Sequence, residues 1–170
     1  MRSLSLALLP LLLAACGSGV VEPDEADPRL STSVVPAADW ERVQRDDFSF
    51  QVPPGFQKLD LQPIDSDAAT WATGSSSLHY DYGWYTGPWS AEETIDGHRV
   101  RDVTRQRVRI GGRTAELVAF RYGAVQVVRA WWGAVDSSHG QAEDLLVRIE
   151  TDDPALRELL LASIYSVRFP

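Results

Sequence analysis

Histidine, serine and carboxylate side chains are the groups in this sequence that could carry catalysis or hold a metal. The three histidines, His79, His98 and His139, lack the close spacing of zinc ligands. Asp65 and Asp67 have the spacing that begins a calcium loop. The glycine and the distal glutamate of an EF-hand are missing, however, so a solvated turn is expected there. We therefore expect neither a metal centre nor a cofactor.

Nucleophilic catalysis has equally little support. The serines at 75–77 and 137–138 fall in predicted loops and show no nucleophile-elbow pattern. Ser137 and Ser138 stand beside Asp136 and His139, but sequence neighbours rarely assemble into a working triad. The glycine-rich pieces lack the lysine of a phosphate-binding loop. These patterns favour a domain that is not an enzyme.

The stretch LHYDYGWYTGPW, residues 78–89, concentrates aromatic side chains. Its alternation predicts a strand over 78–85, in which every second side chain faces the same way. One face then holds Leu78, Tyr80, Tyr82 and Trp84, and the other holds His79, Asp81, Gly83 and Tyr85. The first set is a continuous apolar stripe, so we expect it in the core.

The end of this stretch supplies the candidate binding residues Trp84, Tyr85 and Trp89. Gly87-Pro88 turns the chain there, so Tyr85 and Trp89 could form an exposed aromatic lip or could plug the end of the sheet. Tyrosine and tryptophan suit binding because they combine a large rigid area with a polar group. A pocket lined by all three would bind a small ligand.

The N-terminus carries a secretory pattern. Arg2 precedes an apolar run from Leu4 to Leu13, which at about ten residues is too short for a span that needs roughly 20. The sequence Leu13-Ala14-Ala15-Cys16 resembles a bacterial lipobox. That resemblance implies that residues 1–15 are a signal peptide, that the chain is cut before Cys16, and that Cys16 carries diacylglycerol on sulfur and a fatty acid, typically palmitate, on its amine.

Charge and cysteine content narrow the possible partners. Cys16 is the only cysteine, so no intramolecular disulfide can form. Without Arg2, 15 basic and 24 acidic side chains remain, a formal charge of −9, which argues against nucleic acid. The lipid on Cys16 is the expected membrane contact. Gly17 after the cysteine, by resemblance to enterobacterial sorting, favours the periplasmic side of the outer membrane if the organism is Gram-negative.

Three segments are predicted along the chain. Residues 1–15 are the signal peptide, 16–45 are the lipidated cysteine and a tether, and 46–170 form one globular domain. The tether is expected to be flexible over 17–37, where prolines and acidic residues give no apolar period. ADWERV at 38–43 could begin a short helix, and Trp40 could dock on the domain.

The domain pattern is mostly strands with few helices. Alternation or apolar runs predict strands at 47–52, 70–73, 77–85, 105–110, 113–122, 125–135 and 143–150, and a last one at 165–169. Gly111-Gly112 predicts a two-residue hairpin turn. Asp153 and Pro154 predict the start of a C-terminal helix, and a second helix could lie in 90–97.

In 125–135, Val125, Val127 and Val135 should share one face and Val128 and Ala130 the other, with Trp131 and Trp132 opposed. Such a strand needs cover on both sides, so the fold class is α+β with an antiparallel sheet.

Three stretches resemble the PsbP/Mog-type α/β sandwich family: FSFQVPPGF, GGRTAEL and SIYSVRF. The resemblance covers residues 46–169 and implies a sandwich fold. Members are mostly non-enzymatic accessory, assembly or binding proteins, and many bacterial ones are lipoproteins. The family has no catalytic motif to transfer.

The expected function is that of a membrane-anchored lipoprotein whose non-catalytic domain contacts protein or envelope partners. The alternatives are a small-ligand-binding lipoprotein with an aromatic-lined pocket and, third, a hydrolase.

Overall fold

The computed structural model describes residues 27–61, 63, 65–89, 94–136 and 142–170. A 3₁₀ turn, Pro28–Leu30, opens this part of the chain, and one helix, α1 (Pro154–Tyr165), lies near its end. The strands are β1 (Glu41–Gln44), β2 (Ser49–Val52), β3 (Gln57–Lys58), β4 (Asp67–Thr73), β5 (Ser76–Gly83), β6 (Thr94–Ile95), β7 (His98–Arg99), β8 (Arg101–Ile110), β9 (Arg113–Tyr122), β10 (Val125–Asp136) and β11 (Glu143–Thr151). No helix in the described ranges has the length and apolarity needed to cross a bilayer.

Seven strands form one antiparallel sheet in the order β3-β4-β5-β11-β10-β9-β8. The last strand therefore lies in the middle, between β5 and β10. Two smaller hairpins, β1–β2 and β6–β7, stand outside this sheet. The antiparallel sheet with few helices is confirmed, although the architecture is more sheet-dominated than α+β implies.

The β8–β9 hairpin forms as its glycines predict. Ile110 pairs with Arg113, and Gly111 and Gly112 have φ angles of 60° and 85°. Positive φ at both central residues suits the two-residue turn whose twist matches that of the strands. Gly111 is also fixed by packing, since a Cβ there would lie 2.6 Å from the carbonyl oxygen of Val167.

One face of the sheet packs against α1 and β2 to form the main core. The helix begins where predicted, because the Asp153 side chain accepts a hydrogen bond from the Ala155 amide at 2.8 Å. Edge-to-face contacts join Phe50 of β2 to Trp71 and Tyr80 in the sheet, with ring centroids 5.8 and 5.6 Å apart. Buried large side chains of this core include Phe48, Leu78, Leu117, Trp132, Leu145, Ile149, Leu160 and Leu161.

The second face has its own, smaller core. Trp89 stacks on Phe120 with ring centroids 5.0 Å apart, and both belong to a cluster with Val118, Tyr122 and Val127. The two-sided cover predicted from the apolar pattern of β10 is therefore present. Trp131 and Trp132 do point to opposite faces: Trp132 is fully buried in the main core, and the indole N–H of Trp131 donates to Asp144 at 3.2 Å.

The end of β10 departs from the predicted alternation. The register shifts between Trp132 and Asp136, and Ala134 has a φ of 52°. This irregularity moves Val135 into the main core, on the face of Val128, whereas the pattern placed it with Val125 and Val127. A bulge of this kind reverses every later side chain, which alternation alone does not reveal.

The folded part of the chain begins before residue 46. Leu30 is buried in the main core, and the Tyr165 hydroxyl donates to its carbonyl oxygen at 2.5 Å. Trp40 is buried as expected, but residues 41–44 form β1, paired with β2, and no helix. The predicted domain start at residue 46 is therefore too late, because Leu30, Trp40 and Val43 bury apolar surface that offsets their ordering.

Two other predicted elements differ. Residues 165–169 form no strand: Tyr165 ends α1, and Arg168 makes a single bridge to Ser49. The predicted helix at 90–97 is partly replaced by the β6–β7 hairpin, with Asp96 and Gly97 at positive φ. Residues 90–93 and the predicted turn residues 137–141 lie outside the described residues.

The aromatic stretch forms the predicted strand but leaves it early. Leu78 and Tyr80 are buried in the main core as expected, and Tyr82 packs against it. β5 ends at Gly83, which pairs with Asp144 of β11, and the pairing does not continue to Trp84. Trp84 is 53% exposed and Tyr85 82%, whereas Trp89 is 6% exposed. The expectation of a buried Trp84 is wrong, and of the two alternatives for Trp89 the exposed lip is not formed.

Trp89→Ala should therefore destabilise the domain far more than Trp84→Ala. Removing the buried indole that stacks on Phe120 should cost about 3–5 kcal/mol of unfolding free energy. Removing the exposed one should cost less than about 1 kcal/mol. Urea unfolding of the two variants, fitted with a common slope, gives the comparison. Equal losses would contradict the assignment of Trp89 to the second core.

Candidate functional site

Three carboxylates converge where β10 ends and β11 begins. Asp136 and Glu143 are cross-strand partners at that end of the sheet, and Asp47 comes from the connection between β1 and β2. One oxygen from each residue lies within 4.8 Å of the other two. We call this end of the sheet the carboxylate end.

The Tyr82 hydroxyl contacts two of these three carboxylates. It donates to Oδ2 of Asp47 at 2.9 Å and also faces Glu143. Burial, followed by the hydrogen bonds to Glu143 and Asp47, raises the pKa of Tyr82 above its ordinary value. The hydroxyl therefore stays protonated and keeps its role as a donor.

An open pocket of about 390 Å³ lies beside these carboxylates. Its walls are the acidic residues Asp65, Asp67 and Glu143 and the aromatic residues Tyr82 and Trp84, with Ser66 and Gly83. A Cβ on Gly83 would lie 3.2 Å from Cβ of Ser66, so a larger residue would push the 65–66 segment away. Glycine at the end of β5 thus allows that segment to close one side of the pocket.

One of the three pocket carboxylates is already paired. Nε of Arg45 donates to Asp67 at 2.6 Å, and the Tyr80 hydroxyl donates to the other oxygen of Asp67 at 2.7 Å. Burial, with the Asp67 contact, raises the pKa of Tyr80. Asp67 is therefore a structural group here, and Asp65 and Glu143 are the carboxylates that can contribute charge to a ligand.

The arrangement suits cations. One oxygen each of Asp47, Asp136 and Glu143 could contact a metal ion, but Ca²⁺ prefers six to eight oxygens, so these three would supply only part of its shell. The pocket can also accept an ammonium or guanidinium group against the Trp84 ring. Among the described residues that line the pocket, none is a histidine.

The structure brings together two of the three candidate binding residues. Trp84 lines the pocket, and Tyr85 follows it at the surface. Trp89 is remote: it belongs to the second core, with the Arg105 guanidinium 5.1 Å from its ring centroid. A pocket lined by Trp84, Tyr85 and Trp89 together is therefore not formed. Cys16, the lipidation candidate, lies outside the described residues.

Sequence reasoning missed Asp47, Asp136 and Glu143 as a group. Asp136 and Glu143 flank the predicted β10–β11 turn, so hairpin pairing alone would have brought them together. Asp47 could not be added, since its position depends on how the β1–β2 hairpin lies on the sheet. The DSD segment, read as a solvated turn, places Asp65 in the pocket and Asp67 on Arg45.

The described histidines stay apart from this site and from one another. His79 lies on β5 and His98 on β7, in different sheets, while His139 is outside the described residues. Ser137 and Ser138, the neighbours of His139 in sequence, are outside them as well.

No protein-family model matches the sequence, and no curated protein matches it significantly.

His79 is the described histidine with a shifted pKa. Burial lowers the pKa of His79; Asp81 and Glu150 oppose this, whereas Arg148 and Arg129 reinforce it. Its Nδ1 lies 2.9 Å from the Thr70 hydroxyl. Because the folded pKa lies below the unfolded value near 6.5, the unfolded state binds the proton more readily between the two values.

Stability should therefore fall as the pH drops below about 6.5. His79→Gln should flatten this loss, since glutamine does not titrate. Urea midpoints measured from pH 7 to pH 5 provide the test, with the exposed His98→Gln as the matched control. An unchanged pH profile in His79→Gln would refute the role of this residue.

Proposed function

We propose that this chain is a lipid-anchored envelope protein whose folded domain binds a protein partner and catalyses no reaction. The carboxylate end, with Trp84 and Tyr85, is the contact surface. The anchor is the lipid on Cys16, after removal of residues 1–15, and the location is the cell envelope, on the periplasmic side of the outer membrane in a Gram-negative organism. The fold is a sandwich of the PsbP/Mog type, in keeping with the quoted sequence resemblance.

The observation that carries the proposal is the exposure of two consecutive large aromatics. Trp84 is 53% and Tyr85 82% exposed, beside a pocket and not scattered over the surface. Exposed aromatic residues of this kind supply most of the binding energy in many protein interfaces. Of the other five tryptophans, those at 40, 71, 89 and 132 are buried and Trp131 is half-buried, so the exposure of Trp84 calls for a partner.

The position of this surface relative to the anchor supports a protein partner. The first described residues lie at the other end of the sheet: Arg29 donates to the carbonyl oxygen of Asp102 at the start of β8. Arg101 of β8 pairs with Arg121 of β9, and Arg121 in turn pairs with Gln126 near the start of β10. Ten residues of β10 separate Gln126 from Asp136, or roughly 30 Å.

The anchor therefore joins the domain at the end remote from the pocket. Cys16 precedes Asp27 by 11 residues, which can span at most about 40 Å. With the lipid in the bilayer, the carboxylate end is free to point away from the membrane. A ligand there would come from the periplasm and not from the lipid on which the protein is anchored.

A small-ligand-binding role is the second candidate, and the pocket volume favours it. About 390 Å³ falls within the usual range of roughly 300–1,000 Å³ for small-molecule sites. Unlike the predicted pocket, its aromatic walls are Tyr82 and Trp84. A small ligand would leave Tyr85 uncovered, which is why we place the protein partner first.

Site-specific photo-crosslinking in cells tests the proposal. A photoreactive residue at position 85 should give one discrete adduct with another protein. The same residue at position 35 should give none, although Val35 and Tyr85 are equally exposed at 82%. Adducts at both positions, or at neither, would contradict a specific surface at Tyr85.

The anchor is tested in the same strain. Cys16→Ser should give a protein that is either unprocessed or soluble. Neither the processed protein nor its crosslinked adduct should then be found in the membrane fraction. A Cys16→Ser protein that is still processed and still fractionates with membranes would refute lipidation at this residue.

A further inference from the structure

We propose that the pocket beside Trp84 receives a cationic side chain, arginine or lysine, from a protein partner. This inference rests on the proposed function, because it names the chemistry of the partner at the same surface. In this inference the partner has a basic segment. The charged side chain of that segment enters the pocket, and its neighbouring residues cover Tyr85.

The charge balance around the pocket favours a cation. Asp65 and Glu143 line it, and oxygens of Asp47 and Asp136 lie within 4.8 Å of Glu143. Two basic residues of the described chain make contacts on this side of the sheet, and neither is paired with Asp65 or Glu143 in them. Arg45 is bound to Asp67, and Arg113 donates to the Ala134 carbonyl oxygen at 3.1 Å and lies over the Phe169 ring. The pocket therefore attracts positive charge, and its field is reinforced by the formal charge of −9 that remains without Arg2.

The exposed indole distinguishes an organic cation from a metal ion. A metal would need oxygen ligands, which Asp47, Asp136 and Glu143 provide without involving Trp84. An indole wall adds nothing to metal binding, but it attracts a guanidinium or ammonium group through its π face. The combination of carboxylates and an exposed tryptophan in one pocket is therefore explained by an arginine or lysine side chain.

The domain already uses this pairing internally. Arg105 lies 5.1 Å from the Trp89 ring centroid, Arg45 lies 5.4 Å from that of Tyr80, and Lys58 lies 5.7 Å from that of Trp71. Among the described residues, no cation of the chain itself is placed over Trp84 in this way. A basic side chain from a partner would complete the same contact at the surface.

Tyr85 argues for a side chain carried by a protein and against a free amine. It follows Trp84, is 82% exposed and is not part of the pocket wall. A small amine would fill the pocket and leave this ring in water. A peptide segment that inserts one basic side chain would also cover the ring next to it, as interface aromatics usually are covered.

The test uses the mature lipoprotein in neutral phosphatidylcholine nanodiscs and a blocked peptide, Gly-Arg-Gly-Arg-Gly. The control peptide has citrulline in place of each arginine, which keeps the shape and removes the charge. Calorimetric titration should show binding of the arginine peptide and at least about tenfold weaker binding of the citrulline peptide. Raising the salt from 50 to 500 mM should weaken the arginine complex several-fold, since the contact is open to solvent.

Two variants locate the binding. Trp84→Ala and Glu143→Gln should each weaken the arginine peptide at least about fivefold. Asp39→Asn is the matched control, because it removes one exposed carboxylate, as Glu143→Gln removes one, but lies outside the pocket. Circular dichroism checks that every variant remains folded.

Several outcomes would overturn the inference. Equal binding of the two peptides would show a neutral ligand site, and equal weakening by Asp39→Asn would show unspecific charge attraction. CaCl₂ that binds in the absence of peptide and abolishes peptide binding, with Trp84→Ala having no effect, would assign the carboxylates to a metal. Association of the protein with itself that involves Tyr85 would make the occupant a second copy.

Failure of this inference is separable from failure of the proposed function. A crosslinked adduct at position 85 together with no binding of the arginine peptide would keep the partner surface and reject its cationic chemistry. The absence of both would reject both.

Discussion

A strand that is apolar on both faces must be covered on both, and most features of this domain follow from that constraint. β10 and β11 lie in the middle of the sheet and bury side chains on either side. On one face α1 and β2 provide the cover. On the other face the chain itself does so after it leaves β5, as Trp89 comes to stack on Phe120. Residues 84–88, which connect the end of β5 to Trp89, must therefore pass across β11 and β10 to reach β9.

This crossing explains why two aromatics stand exposed beside a buried one. β5 has to end where the crossing begins, so Trp84 and Tyr85 lie at the carboxylate end of the sheet. Trp89 reaches the second core on the opposite face from α1. Asp136 of β10 and Glu143 of β11 lie at the same carboxylate end. Aromatic and acidic side chains thus meet for topological reasons, and the pocket is a product of strand order. On the proposal that Cys16 carries the anchor, its position opposite the first described residues would make it the membrane-distal end.

The sequence predicts the regular elements well and the site only in part. Alternation, the paired glycines and the Asp153–Pro154 cap are local signals, and they located β2, β4, β5 and β8–β11, the β8–β9 turn and the start of α1, but not the short strands β1, β3, β6 and β7. The length of β5 is not a local property: Trp84 continues its alternation, but the pairing with β11 stops at Gly83. The burial of Leu30 and Trp89 and the meeting of Asp47 with Glu143 are likewise tertiary effects. Alternation through Ala134 failed because a bulge is invisible to a period of two.

The central claim is that the carboxylate end faces away from the membrane that holds the lipid on Cys16. Energy transfer from a single label on the anchored protein to acceptor dyes in the bilayer surface measures this most directly. Donors at position 85 and at position 101, at opposite ends of the sheet and both exposed, form the matched pair. The account predicts markedly lower transfer from position 85 than from position 101. Equal transfer, or higher transfer from position 85, would place the pocket against the bilayer and contradict it.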